Sequence, residues 1–116
     1  MKLGYWGLRG RAQVARLLME YLGMEYENII FNSIDEWRQF KNDNEEQFPL
    51  IDLPFIIDED ISISEAVPIC NYIIRKSQNK DLLGKTLEDI SIINMYSWSI
   101  DNLGLALVRL CWMPGK

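Results

Sequence analysis

The chain contains no histidine and only two cysteines, Cys70 and Cys111, among its 116 residues. Without histidine there is no imidazole base. Without a Cys-x-x-Cys pair there is neither a zinc site of the usual Cys/His kind nor dithiol redox chemistry, and no metal or cofactor is expected. Cys70 falls on the apolar stripe of a predicted helix and reads as a small buried hydrophobe rather than a reactive thiol. Long apolar runs are missing too. No stretch reaches the roughly 18 residues that would suggest a membrane span, and Met1-Lys2-Leu3-Gly4-Tyr5-Trp6 lacks the apolar core of a secretory signal, so the expected compartment is the cytoplasm. Positive charge is the scarcer sign: 12 Lys plus Arg stand against 17 Asp plus Glu, a net charge of −5. Such a surface repels nucleic acid and anionic membrane and leaves small molecules or proteins as partners.

What remains is an ordinary globular composition, 48% hydrophobic and 25% charged, in a chain long enough for one compact domain and a remnant of another. Residues 1–6 read as a strand and Gly7-Leu8-Arg9-Gly10 as a turn into a helix. That helix carries Val14, Leu17, Leu18, Tyr21 and Leu22 on one apolar face and ends at Gly23. Residues 26–31 have the content of a second strand, and an acidic, polar region follows over 32–47. Pro54 to Asp58 and Ile61 to Ile63 form a hairpin about the turn Asp58-Glu59-Asp60. Ser64 then stands at the N-cap of a helix with the stripe Ala66, Ile69, Cys70 and Ile73, ending near Ser77.

The order β-α-β, β-β-α describes an α/β domain over residues 1–78. A polar linker over 79–85 follows. Residues 86–116 read as one long helical segment, the beginning of an all-α unit. Its Ile90, Ile93, Trp98, Ile100, Leu103, Leu107, Leu110 and Trp112 are more apolar surface than a lone helix leaves exposed, so it needs a covering partner.

Four features, taken in order and spacing, carry a resemblance: Leu3-Gly4-Tyr5-Trp6-Gly7-Leu8-Arg9-Gly10, Trp37 with Lys41, Asp52-Leu53-Pro54, and Ser64-Glu65-Ala66. Together they resemble the N-terminal, thioredoxin-like domain of a glutathione S-transferase. The Tyr-Trp-x-x-Arg-Gly turn is similar to that of the mu class, and the segment from Ile100-Asp101-Asn102 through Cys111-Trp112-Met113-Pro114 resembles the first helix of that family's second domain.

The resemblance implies conjugation of the thiol of reduced glutathione, the co-substrate, to an electrophilic small molecule. Only the thiolate is a good nucleophile, and a free cysteine thiol has a pKa of about 8.5. A tyrosine hydroxyl at the end of the first strand lowers that pKa by donating a charge-assisted hydrogen bond, which makes Tyr5 the catalytic candidate. A strand tyrosine packed in the core with its hydroxyl at the rim is the alternative.

For the other residues the resemblance implies positioning. Trp6 lines the peptide beside Tyr5. Leu53-Pro54 is the cis-proline step whose backbone pairs with the cysteinyl unit. Ser64, followed by Glu65, offers a hydroxyl and free helix N–H groups to the γ-glutamyl carboxylate. Trp37 and Lys41 are donors for the glycyl carboxylate. Asp101 reaches the γ-glutamyl amino group across a homodimer axis. Leu8 and Trp112 wall the electrophile pocket, and Phe48 or Leu50 is the apolar key of the dimer. Each of these also has a plainer reading as a cap, a core residue or a solvated face.

Three departures from the pattern reduce the expected affinity. Ile34 replaces an arginine, Ile63 a glutamine, and Asp52 an asparagine, placing a negative charge near the ligand's carboxylates. Pro68 also falls in the first turns of the helix and would delete a hydrogen bond to Ser64 if that serine were the cap. These departures add weight to the second reading, a non-catalytic scaffold or dimerisation module on the same fold or an inactive fragment, while the retention of Tyr5 argues against it. A thioredoxin-type redox protein is excluded, because residues 7–13 hold no cysteine.

Overall fold

The computed structural model describes residues 1–112. A four-stranded sheet is built from β1 (Lys2–Trp6), β2 (Glu27–Phe31), β3 (Phe55–Asp58) and β4 (Ile61–Ser64), in the order β2-β1-β3-β4. β1 runs parallel to β2 and antiparallel to β3, and β3 pairs antiparallel with β4. The helices are α1 (Gln13–Tyr21), α2 (Ile34–Asn44), α3 (Ala66–Lys76) and α4 (Leu87–Trp112). The thioredoxin-like α/β order expected from the sequence is therefore present, with one element added.

That element is α2, read from the sequence only as a polar region. Ser33 caps it, its Oγ accepting the Glu36 N–H at 3.2 Å, while the Glu36 carboxylate accepts the Asn32 N–H at 2.8 Å. This reciprocal satisfaction of orphan donors is the signature that Ser33-x-x-Glu36 carried all along. Trp37 is the residue by which α2 is anchored.

The sheet separates two cores. On one face Leu3, Tyr5 and Ile56 meet Ala12, Ala15 and Met19 from the α1 side and Ile69 and Ile73 of α3. On the other face Phe31, Trp37, Phe48, Ile51 and Phe55 pack together beneath α2. Strand alternation sends Leu3 and Tyr5 to the first core and Gly4 to the second. There the Phe55 ring lies where a Cβ on residue 4 would stand, so only glycine fits.

Two expectations about helix faces need correction. The stripe Val14, Leu17, Tyr21 is exposed, at 60%, 61% and 71%, while Ala12, Ala15 and Met19 are buried. Leu18 and Leu22 do pack on the core, half-buried. The helix has two apolar stripes, and the one with small residues lets the backbone approach the sheet closely; periodicity alone does not distinguish them. Gly23 ends the helix as expected, at φ +64°, with the Met24 N–H bonded to the Met19 carbonyl at 2.9 Å.

The second correction concerns α3. Its N-cap is Glu65, at φ 74°, and Ser64 belongs to β4. With the first helical bond running from the Ile69 N–H to the Glu65 carbonyl, Pro68 stands at the third helical position, where its missing N–H has no intrahelical partner to lose.

Residues expected as a linker contain a short 3-10 turn, Lys80–Leu83, whose Leu83 is buried. Thr86 then caps α4: its hydroxyl accepts the Asp89 N–H at 3.1 Å. α4 is 26 residues long with none buried. It is not apolar enough along its length to cross a membrane. The last residues of the expected segment, 113–116 with Met113 and Pro114, lie outside the described residues.

Candidate functional site

Tyr5 is placed by the parallel pairing of β1 with β2, opposite Ile30, one residue before the strand ends. The chain then doubles back over the phenol. Gly10 makes this possible: it sits at φ +40°, and a Cβ there would stand 2.7 Å from the Tyr5 hydroxyl. The next residue, Arg11, donates its backbone N–H to Tyr5 Oη at 3.2 Å. Tyr5 Oη acts as acceptor in that bond, which leaves its own proton available for donation outward.

Outward is a cavity of about 470 Å³ whose walls include Tyr5, Trp6, Leu8 and Asn32 from the first unit, and Val108 and Trp112 from α4. Four residues singled out in the sequence, Tyr5, Trp6, Leu8 and Trp112, are thus brought to one space. Val108 and Asn32 were not anticipated; Val108 lies one helical turn before Trp112, a spacing that would have found it.

The Arg11 side chain was missed altogether. Its Nη2 binds the Glu65 carboxylate at 2.7 Å and the Asp101 carboxylate at 3.0 Å. Burial works against the charge of this guanidinium, but the Glu65 hydrogen bond and the attraction of Asp101 outweigh it and raise its pKa above the ordinary arginine value. Arg11 Nε is buried and has no partner among the described residues. Asp101 is therefore engaged within its own chain, and Arg11 ties the Tyr5 loop to both α3 and α4. Nothing in the spacing of Arg9-Gly10-Arg11 announces this, because its two partners lie 54 and 90 residues away.

Around the Leu53–Pro54 peptide bond, which is cis, the chain is bonded to itself. The Pro54 carbonyl accepts the Glu65 N–H at 3.1 Å. Ser64 Oγ accepts the Asp52 N–H at 2.8 Å and donates to the Leu50 carbonyl at 3.2 Å, so its hydroxyl braces the loop instead of capping α3. The Asp52 carboxylate accepts the Leu53 N–H at 2.9 Å.

Trp37 and Lys41 stand apart from the cavity. Trp37 is buried against Phe40 and Phe55, with ring centroids 6.3 and 6.0 Å away, and the Lys41 ammonium sits 5.7 Å above the indole. Lys41 is thus placed as a cation over an aromatic face. Cys70 is half-buried, and burial first, then the Asp101 charge, push its thiol up to about 11, which leaves it protonated at neutral pH.

Residues 1–75 match the family model of the glutathione S-transferase N-terminal domain. The chain belongs to the glutathione S-transferase family. It is 36% identical over 113 residues to the glutathione S-transferase class-mu 26 kDa isozyme 51 of Fasciola hepatica, covering 97% of this chain and 50% of that protein. It is 31% identical over 121 residues to glutathione S-transferase Mu 1 of Bos taurus, covering 98% of this chain and 53% of that one. This glutathione S-transferase chain therefore spans about half the length of the curated relatives it matches. Among solved structures, rat hPGDS complexed with a quinoline superposes with a TM-score of 0.70 at 25% identity, over 87% of this chain and 47% of that one. A nematode-specific glutathione S-transferase of C. elegans gives a TM-score of 0.75 at 21% identity, over 99% of this chain and 55% of the other; that likeness concerns fold alone.

Proposed function

We propose that this chain is the glutathione-binding part, together with the first helix of the helical part, of an enzyme that conjugates reduced glutathione to electrophilic small molecules. The observation that carries the reading is the Tyr5 hydroxyl: it accepts the Arg11 N–H and lines a cavity walled by Leu8 and Trp112. A phenol held in this way donates a hydrogen bond to a thiolate while keeping its proton, stabilising the nucleophile without a histidine base. In this reading Leu53 receives the peptide's backbone, Ser64 and the N–H groups at the start of α3 its γ-glutamyl carboxylate, and Trp37 and Lys41 its glycyl end. The protein is proposed to act as a cytoplasmic homodimer. Leu50 is its apolar key, being 88% exposed where Phe48 is packed into the core. In that dimer Asp101 faces the γ-glutamyl amino group of the partner's glutathione while remaining paired with Arg11.

The test is Tyr5→Phe in the native gene product, followed by a pH–rate profile for conjugation and by thiolate absorbance of bound glutathione. Loss of a hydrogen bond to a charged acceptor, about 1.5–3 kcal/mol, raises the bound thiol's pKa by roughly one to two units and lowers activity near neutral pH about ten- to a hundredfold. Superimposable profiles would return Tyr5 to a core role and favour the scaffold reading, which draws support from the internally satisfied Ser64 hydroxyl and Leu53 amide.

A further inference from the structure

The site's own loop occupies the donors that a peptide ligand would use. Leu53 N–H is a main-chain donor on the residue before the cis-proline, and the Asp52 carboxylate already accepts it at 2.9 Å. The Ser64 hydroxyl is turned onto the Leu50 carbonyl at 3.2 Å, and its lone pair onto the Asp52 N–H at 2.8 Å. Leu50 to Leu53 thus fold back on the strand end as a bound segment would, and the charged acceptor among them is a side chain. A backbone N–H held by a carboxylate is held about twice as strongly as by a neutral carbonyl such as a peptide ligand's.

We propose that Asp52 sets the affinity of this site by competing with the peptide ligand for the Leu53 amide. The inference rests on the glutathione reading above and adds to it a specific residue and a specific atom. Glutathione enters by exchange: the Asp52 carboxylate leaves the Leu53 N–H for solvent, and the cysteinyl backbone takes its place. The released carboxylate, exposed at the rim, also opposes the two carboxylates of the ligand. Both effects act in the same direction, against an anionic peptide.

Two readouts test this on the chain itself. Hydrogen exchange at the Leu53 amide reports the internal bond without any ligand, and should accelerate in Asp52→Ala while exchange in β1 and β3 is unchanged. Calorimetric titration with reduced glutathione should give binding about tenfold tighter for Asp52→Ala than for wild type. Asp52→Asn, which removes the charge but keeps an acceptor for the Leu53 N–H, should fall between them. Equal or weaker binding by Asp52→Ala, an unchanged Leu53 exchange rate, or identical gains in the alanine and asparagine variants would each overturn the inference while leaving the glutathione reading standing. If neither wild type nor variants bind glutathione, the reading itself falls and the inference with it.

Discussion

Residues 1–78 and helix α4 are both rich in apolar side chains, and they use them in opposite ways. In the first unit the large side chains Leu3, Met19, Ile56, Ile69, Ile73 and Phe55 are sealed between sheet and helices. In α4 no residue is buried. The face that α4 turns to the first unit includes the half-buried Ile93, Ser97, Asp101 and Gly104, one or two turns apart. Its larger apolar residues, Ile92, Met95, Tyr96, Leu103, Leu107 and Leu110, point away and are exposed. Composition therefore does not decide burial; the availability of an opposing surface does. The Arg11–Asp101 ion pair ties α4 to the first unit as well.

The contrast breaks most sharply at Ile69, which is fully buried between α3 and the sheet. Ile69→Ala removes buried methylenes and leaves a cavity, a change that costs about 2–5 kcal/mol. Denaturant unfolding of the chain should show a lowered midpoint with an unchanged slope. A loss below about 1 kcal/mol would mean that the first core is no better packed than α4, and would remove the distinction drawn between them.

These two regions also differ in how well sequence describes them. Strand content, the hairpin and the glycine stop at Gly23 were legible because they depend on neighbours in sequence. The role of Gly4 was not, since it is set by Phe55 from another strand. Nor was Arg11, whose partners come from α3 and α4. Ser64 misled for a related reason: a serine ahead of an apolar helical stripe looks like a cap, but β4 extends through it and the turn is taken by Glu65 at positive φ. Tyr5, Trp6, Leu8 and Trp112 line one cavity, a grouping that the family resemblance implied and that spacing alone does not show. Trp37 also anchors an aromatic core, which its spacing from Lys41 did not show, because an indole capable of donating a hydrogen bond is also the largest apolar body available to fix α2.

A smaller effect is expected at Asp58, the buried carboxylate of the first unit. It accepts hydrogen bonds from the Lys76 ammonium and, at 2.6 Å, from the Tyr72 hydroxyl. Those bonds, Lys76 first and Tyr72 second, hold the Asp58 carboxyl below its ordinary range. A carboxyl whose folded pKa is depressed contributes stability above its unfolded pKa of about 3.9 and loses it as pH falls through the folded value. Half-exposure of Lys76 screens part of the attraction. Tyr72→Phe should therefore cost about 1 kcal/mol at neutral pH and flatten the acid limb of the stability curve. An acid limb identical in the variant would show that Asp58 draws its stabilisation from elsewhere.

The smallest expected effect on stability lies on α4, at Leu107, which is 54% exposed. Leu107→Lys replaces one good helix former by another and removes no buried contact, so the chain's unfolding free energy should change by less than about 0.5 kcal/mol. The same substitution places a charge in the middle of the exposed row Leu103, Leu107, Leu110, which is too apolar to remain uncovered in a well-behaved molecule. Sedimentation should therefore separate what denaturation does not: wild-type chain associates through this face with rising concentration, and Leu107→Lys shifts that association to higher concentration. Burial of Leu107 against another part of the same molecule predicts the reverse pattern, a large loss of stability with no change in mass. The two measurements together decide whether the outward stripe of α4 is a surface between molecules or a core completed within one.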